Sequence, residues 1–106
     1  MHNRIDQLNK RANRPLSPGE VVAGILEEQE ITQTQAANHL GISRTSLNEL
    51  INNRRALTPD MAARLGRYFG NGICLWLRMQ QTVDLWDALH MDQSRYDAIE
   101  PLRLVA

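Results

Sequence analysis

Apolar residues recur along most of this 106-residue chain at helical spacing, with weak periodicity over residues 1–16. Ser17-Pro18-Gly19-Glu20 reads as a helix start: serine at the N-cap, proline at the first helical position and glutamate three residues after the serine. Val21, Val22, Ile25 and Leu26 then form one apolar face, predicting a first helix that runs to about Gln29. Thr32 caps a second helix, Gln33 to Leu40, whose inward residues are Ala36, Ala37 and Leu40. Gly41 ends it, because the position just past a helix often needs a positive φ that glycine takes without steric cost. Ile42 plugs the turn. Ser43 caps a third helix, Arg44 to about Asn52, with Leu47, Leu50 and Ile51 facing inward, and 52–55 form a loop. Thr58-Pro59-Asp60 repeats the cap-plus-proline start for a fourth helix burying Met61, Ala62, Leu65 and Phe69. Gly70-Asn71-Gly72 breaks the chain before a fifth, from about 72 to 89.

The expected architecture is all-α, with a basic, mobile arm over 1–16, one helical domain over 17–89 and a tail over 90–106. The fifth helix is apolar on two sides. Ile73, Trp76 and Leu77, continued by Gln80, make one stripe; Leu75, Met79, Thr82, Trp86 and Leu89 make another, spaced 4-3-4-3. One stripe closes the domain's own core. The other needs a cover, for which a two-fold-related second copy is the favoured candidate. The alternative cover is the tail folding back through Tyr96, Ile99, Leu102, Leu104 and Val105.

The second and third helices carry the functional signal. Ala37 is small where two helices would cross, Gly41 makes the turn, and Leu40 and Ile42 bury the corner, as a helix-turn-helix requires. With 47, 50 and 51 inward, Thr45, Asn48, Glu49 and Asn52 point outward and Arg44 sits at the flank. This face suits base edges in the major groove: arginine pairs with guanine O6 and N7, asparagine with adenine, and the threonine methyl with the thymine methyl. Gln33 and the free N–H groups beside it would hold a phosphate. Arg54 and Arg55 would grip the backbone on the other side, adding affinity and register rather than sequence choice. With Ser46, these residues make up the candidate interface for double-stranded DNA.

The net charge of zero is unusual for a nucleic-acid binder until the charges are placed. Residues 1–19 carry +3, 20–40 carry −4, 41–70 carry +3 and 71–106 carry −2, so positive charge gathers around the proposed reading helix. The acidic end would suit a basic partner or be a mixed, solvated surface. A single cysteine allows no internal disulfide, which fits a reducing cytosol or a chain that does not need stapling. No apolar run would span a bilayer, and the charged opening residues lack the apolar stretch of a secretory signal, so no membrane association is expected.

Enzyme readings are weak. His2, His39 and His90 are scattered, and no metal-binding or phosphate-loop motif is present, so neither metal nor cofactor is expected. Asp84, Asp87 and His90 recur every three residues, as a solvated helix edge does. Cys74, between Ile73 and Leu75, is expected to be a small core residue rather than a nucleophile.

The run Gln33-Thr-Gln-Ala-Ala37, with Gly41-Ile-Ser-Arg-Thr-Ser-Leu-Asn-Glu-Leu-Ile-Asn-Asn53, resembles the lambda-repressor-like (Xre-type) helix-turn-helix superfamily. The flanks Pro18-Gly19-Glu20-Val21, Asn53 to Gly70 and Leu75-Trp-Leu-Arg-Met-Gln80 look like those of HigA/VapI antitoxins, over roughly residues 15–87. The resemblance implies a five-helix lambda-repressor-like fold and a homodimeric antitoxin. Such a protein would bind a HigB-like, mRNA-cleaving ribonuclease toxin of the RelE type and repress its own promoter. It also implies reading positions at Arg44, Thr45, Asn48 and Glu49. The segment Asn71-Gly72-Ile73-Cys74-Leu75 departs from the family's usual Ser-Pro-Glu-Phe-like stretch. A solitary regulator of the same family, or a module that sequesters a protein with weak DNA contact, would share these features.

Overall fold

Four polar side chains begin four of the helices. In the computed structural model, which describes residues 13–104, Ser17, Thr32, Ser43 and Thr58 each stand in extended backbone and accept an N–H from three residues on. Each satisfies one of the N–H groups that a helix start leaves without an intrahelical partner. The helices they open are α1 (Pro18–Glu28), α2 (Gln33–Leu40), α3 (Arg44–Ile51) and α4 (Pro59–Phe69). α5 (Ile73–His90) starts from Gly72 without a side-chain cap, and a single turn, α6 (Ser94–Asp97), follows. No strand occurs among the described residues. The described residues are all-α as expected, with one short helix among them beyond the five anticipated.

Three helix ends share one device. Glu30, Gly41 and Asn53 all take positive φ (55°, 70° and 59°). After each, the chain returns its next N–H to the helix: Ile31 to the Leu26 carbonyl, Ile42 to Ala37 and Arg54 to Glu49. This is the Schellman arrangement, and at Gly41 it is free of the Cβ penalty that Glu30 and Asn53 bear. Arg64, from α4, donates to the Leu40 carbonyl at 2.8 Å and so occupies an acceptor that α2 leaves open at this end.

The core is one cluster built from every helix through α5: Val22 and Leu26, Ala36, Ala37 and Leu40, Leu47 and Leu50, Leu57, Met61, Ala62 and Leu65, and Trp76. Trp76 is fully buried, and its indole N–H donates to Asn71 Oδ1 at 2.7 Å, so burial leaves no polar group unsatisfied there. Gln80 is partly buried and accepts the Leu57 N–H at 2.9 Å. Close packing of α1 on α3 depends on Gly19: a Cβ there would lie 1.9 Å from the Leu50 carbonyl oxygen.

α5 departs from the expected pattern in three places. Val83, absent from both sequence stripes, is buried with Trp76. Ile73, placed on the core stripe, is exposed at the start of the helix. Cys74 is exposed rather than in the core; its apolar neighbours lie about 100° away on either side, so their burial says nothing about its own.

Only four residues of the expected basic arm fall within the described part of the chain. Among them, Arg14 reaches α5, where Nε and Nη2 donate to the two Asp87 carboxylate oxygens at 2.8 and 2.9 Å. Arg14 also lies 3.8 Å from Glu20. Beyond α6, Ile99, Leu102 and Leu104 are 68%, 82% and 87% exposed, so the described part of the tail does not cover α5; Val105 lies outside the described residues.

Candidate nucleic-acid interface

α2 and α3 meet across Gly41, Ile42 and Ser43, with Ala36, Ala37, Leu40, Leu47 and Leu50 buried beneath them. What remains outward on α3 is polar. Arg44, Thr45 and Asn52 are exposed, and Ser46, Asn48 and Glu49 are half-buried. Arg44 forms no ion pair among the described residues, and the same is true of Arg54 in the loop beyond α3.

Hydrogen bonds organise this face. Asn48 Nδ2 donates to Gln33 Oε1 at 3.1 Å, joining the start of α2 to the middle of α3. The bond leaves the Asn48 oxygen and the Gln33 amide nitrogen available to an outside partner. Asn52 Nδ2 turns back to the Asn48 carbonyl at 2.9 Å. Ser46 belongs to the start of α3: its N–H donates to Ser43 Oγ at 3.0 Å, and the two hydroxyls lie 2.9 Å apart.

Glu49 and Arg55 are engaged with each other. Arg55 Nε and Nη2 both donate to Glu49 Oε2, at 3.1 and 2.9 Å. The pair removes one negative charge from the field of the face, and it ties the loop after α3 back to the helix. Arg55, expected to act on phosphate, is therefore already committed to Glu49 here, whereas Arg54 projects freely.

A buried polar cluster fixes the far end of α3. The Ser17 hydroxyl lies 2.9 Å from Glu20 Oε1 and 2.6 Å from Asn53 Oδ1, and accepts the Glu20 N–H at 3.2 Å. Asn53 Nδ2 completes the ring toward Glu20 Oε1 at 3.3 Å. The first turn of α1 thereby holds the residue that terminates α3. Sequence reading placed Asn53 in a loop and missed this role. Its usable signal was an asparagine just past a helix, where left-handed backbone is tolerated.

The helix-turn-helix family pattern matches residues 23–76, from the middle of α1 into α5. The antitoxin HigA-1 of Vibrio cholerae is 34% identical over 96 residues, covering 90% of each chain. The chain belongs to the HigA/VapI-type group of the Xre helix-turn-helix family. A solved structure from Nostoc punctiforme, of a protein assigned as the antidote of a plasmid maintenance system, is 44% identical. It superposes with a TM-score of 0.74, covering 85% of this chain and 99% of the other. The antitoxin HigA of Pseudomonas aeruginosa, solved with the higBA promoter, is 33% identical with a TM-score of 0.74, covering 85% and 100%. These relatives share the HigA-type fold along nearly their whole length. Among the described residues of this family member, no group of three His, Cys, Asp or Glu could hold a metal, and no helix is long and apolar enough to cross a membrane.

Proposed function

We propose that this protein is a sequence-specific DNA-binding antitoxin of the bacterial cytoplasm. It represses its own operon as a homodimer and neutralises a HigB-like ribonuclease toxin. The carrying observation is the outward face of α3, where Arg44 and Thr45 are exposed and Asn48 is braced by Gln33. The inward face of the same helix is committed to the core through Leu47 and Leu50. In the proposed complex Arg44, Thr45 and Asn48 reach base edges. Gln33 and Arg54 contact phosphates, and Arg55 holds Glu49. The Pseudomonas aeruginosa relative, solved with its promoter, supports this reading.

The homodimer is assigned to the outer stripe of α5. Leu75 and Leu89 are 45% and 62% exposed, Thr82 is exposed, and Met79 and Trp86 are partly so. Apolar area of this kind on one helix face is what a symmetric partner removes from water.

The test is fluorescence anisotropy on the DNA upstream of the gene, at two salt concentrations, beside an Arg44→Ala/Thr45→Ala variant. Binding that weakens with salt and is lost in the variant supports the reading; Arg44 alone is worth about 1–3 kcal/mol on the cognate site. No preference over random DNA refutes it. Leu75→Asp with Trp86→Asp is expected to yield monomers in sedimentation, and a persistent dimer relocates the interface. Suppression of the neighbouring ribonuclease's mRNA cleavage tests the antitoxin role, and its absence leaves a solitary regulator.

A further inference from the structure

Two apolar features lack a partner among the described residues, and they are complementary. The first is a groove of about 360 Å³ between the segment entering α1 and the first half of α5, lined by Pro15, Leu16, Val21, Leu75, Met79 and Thr82, with Arg78 at its rim. The second is the segment beyond α6. Ile99, Leu102 and Leu104 stand in solvent there, and residues 101–104 have no regular structure. In extended backbone Leu102 and Leu104 share one side and Arg103 takes the other, the pattern of a strip that lies in an apolar trough.

We propose that residues 99–104 of one copy occupy the groove of a second copy, so that the homodimer is closed by two exchanged segments. The proposal rests on the homodimer reading above and specifies how it is built. α5 has 18 residues, about 27 Å of helix. Pairing two copies antiparallel through the C-terminal part of the stripe, Trp86 and Leu89, sets the His90 end of one helix beside Thr82 of the other and leaves Leu75 and Met79 uncovered by the helix. The segment leaving the first copy then continues along Met79 and Leu75 of the second, where the groove lies. Two-fold symmetry fills both grooves at once and leaves no open end.

Charge and local structure agree. Arg78 at the rim and Glu100 in the segment are exposed, and neither has an ion-pair partner among the described residues. They have the signs needed to meet across the interface. The exit from α5 is hydrogen-bonded: Gln93 Nε2 donates to the Ala88 and Met91 carbonyls at 2.8 and 2.9 Å, and Asp92 accepts the Ser94 N–H and hydroxyl. These bonds hold the turn, and the residues beyond it stay off their own α5. Pro101 restricts the unbound segment and lowers the entropy lost on docking.

The test uses the full chain with Cys74→Ser, which removes the exposed native thiol, and with Thr82→Cys and Leu102→Cys. Mild oxidation of mixed ¹⁴N and ¹⁵N protein is expected to give a dimer-mass species in which mass spectrometry finds positions 82 and 102 joined between differently labelled chains. A link at monomer mass shows the segment folding onto its own chain and overturns the proposal. So does the absence of any link in a sample that sediments as a dimer, an outcome that leaves the homodimer reading intact. A sample that sediments as a monomer overturns both. Leu102→Glu with Leu104→Glu, at positions exposed in the single chain, is expected to weaken dimerisation at least tenfold with an unchanged helical circular-dichroism spectrum. Unaltered dimerisation with lost toxin binding gives the segment to the toxin and overturns the exchange.

Discussion

Gly19 and Gly24 lie on the same helix, and the same substitution should act on them in opposite directions. At Gly19 the three atoms nearest an added Cβ are all backbone: Leu50 O at 1.9 Å, Leu50 C at 2.7 Å and Ile51 Cα at 3.1 Å. No side chain can rotate away, so α1 and α3 must separate by roughly 1 Å or more, through a core packed as densely as an organic crystal. Overpacking costs about 1–3 kcal/mol, and the rigid neighbours place Gly19→Ala in the upper part of that range. A net loss of about 2 kcal/mol remains after the small gain in helix propensity, which lowers Tm by about 10 °C in a domain of this size. At Gly24 a Cβ meets nothing within 4 Å. Gly24→Ala should therefore stabilise by about 0.5–1 kcal/mol through helix propensity alone. Urea titration of both variants with a common m-value measures the difference. Because α1 holds the end of α3, Gly19→Ala should also weaken operator binding under conditions where the variant is still folded, whereas Gly24→Ala should not. Midpoints that move in the same direction would refute the close-approach argument.

The bond from Arg14 holds the Asp87 carboxyl below the usual carboxylate range, and the same bond raises Arg14. A depressed carboxylate pKa contributes stability above its unfolded value near 3.9, lost as pH falls through the folded value. The stability difference between the wild type and Asp87→Asn should thus be about 0.5–1 kcal/mol at pH 7, given partial exposure, and should fade below about pH 4; a difference unchanged at pH 2.5 contradicts this. Glu30 takes left-handed backbone, and its exposed side chain makes no hydrogen bond or ion pair among the described residues, so Glu30→Gly should stabilise by about 0.5–1 kcal/mol in thermal melts; a lower Tm would show that the side chain contributes an interaction. Arg55→Ala should weaken DNA binding more than Arg54→Ala, because it also exposes the Glu49 charge, and Glu49→Ala should restore part of the loss. Equal losses without rescue would return Arg55 to a phosphate contact.

The helix starts were legible because their chemistry is local. Ser17, Thr32, Ser43 and Thr58 each bond within their own first turn, and Gly41 answers a backbone need confined to one residue. The helix-turn-helix was legible for the same reason, as its constraints fit within twenty residues. Partnerships across long separations were not. Asn53 meets Ser17 across 36 residues and Arg14 meets Asp87 across 73, and no periodicity encodes either. α5 was half legible: its apolar residues point in several directions, so the core side, with Trp76 and Val83, had to be fixed by the other helices. Cys74 is exposed against expectation because apolar neighbours in sequence need not be neighbours in space on a helix. The Glu49–Arg55 pair was hidden because two outward charges show their attraction only once the loop is closed.

The Arg64 guanidinium on the Leu40 carbonyl changes what α2 presents to its surroundings. A free helix is a dipole whose two ends cancel at a distance, so an anion outside its N-terminus feels a field that fades quickly. The same guanidinium donates through Nε to Asp60 Oδ2 at 2.9 Å, so what sits on the negative end is a neutral ion pair that adds no net charge. Its effect is local: a carbonyl that no helix N–H reaches is covered by a donor, and the negative potential at the Leu40 end is damped there. α2 is thereby tied down at its far end, and any pull it exerts on an anion comes from the short-range field of the N–H groups at Gln33.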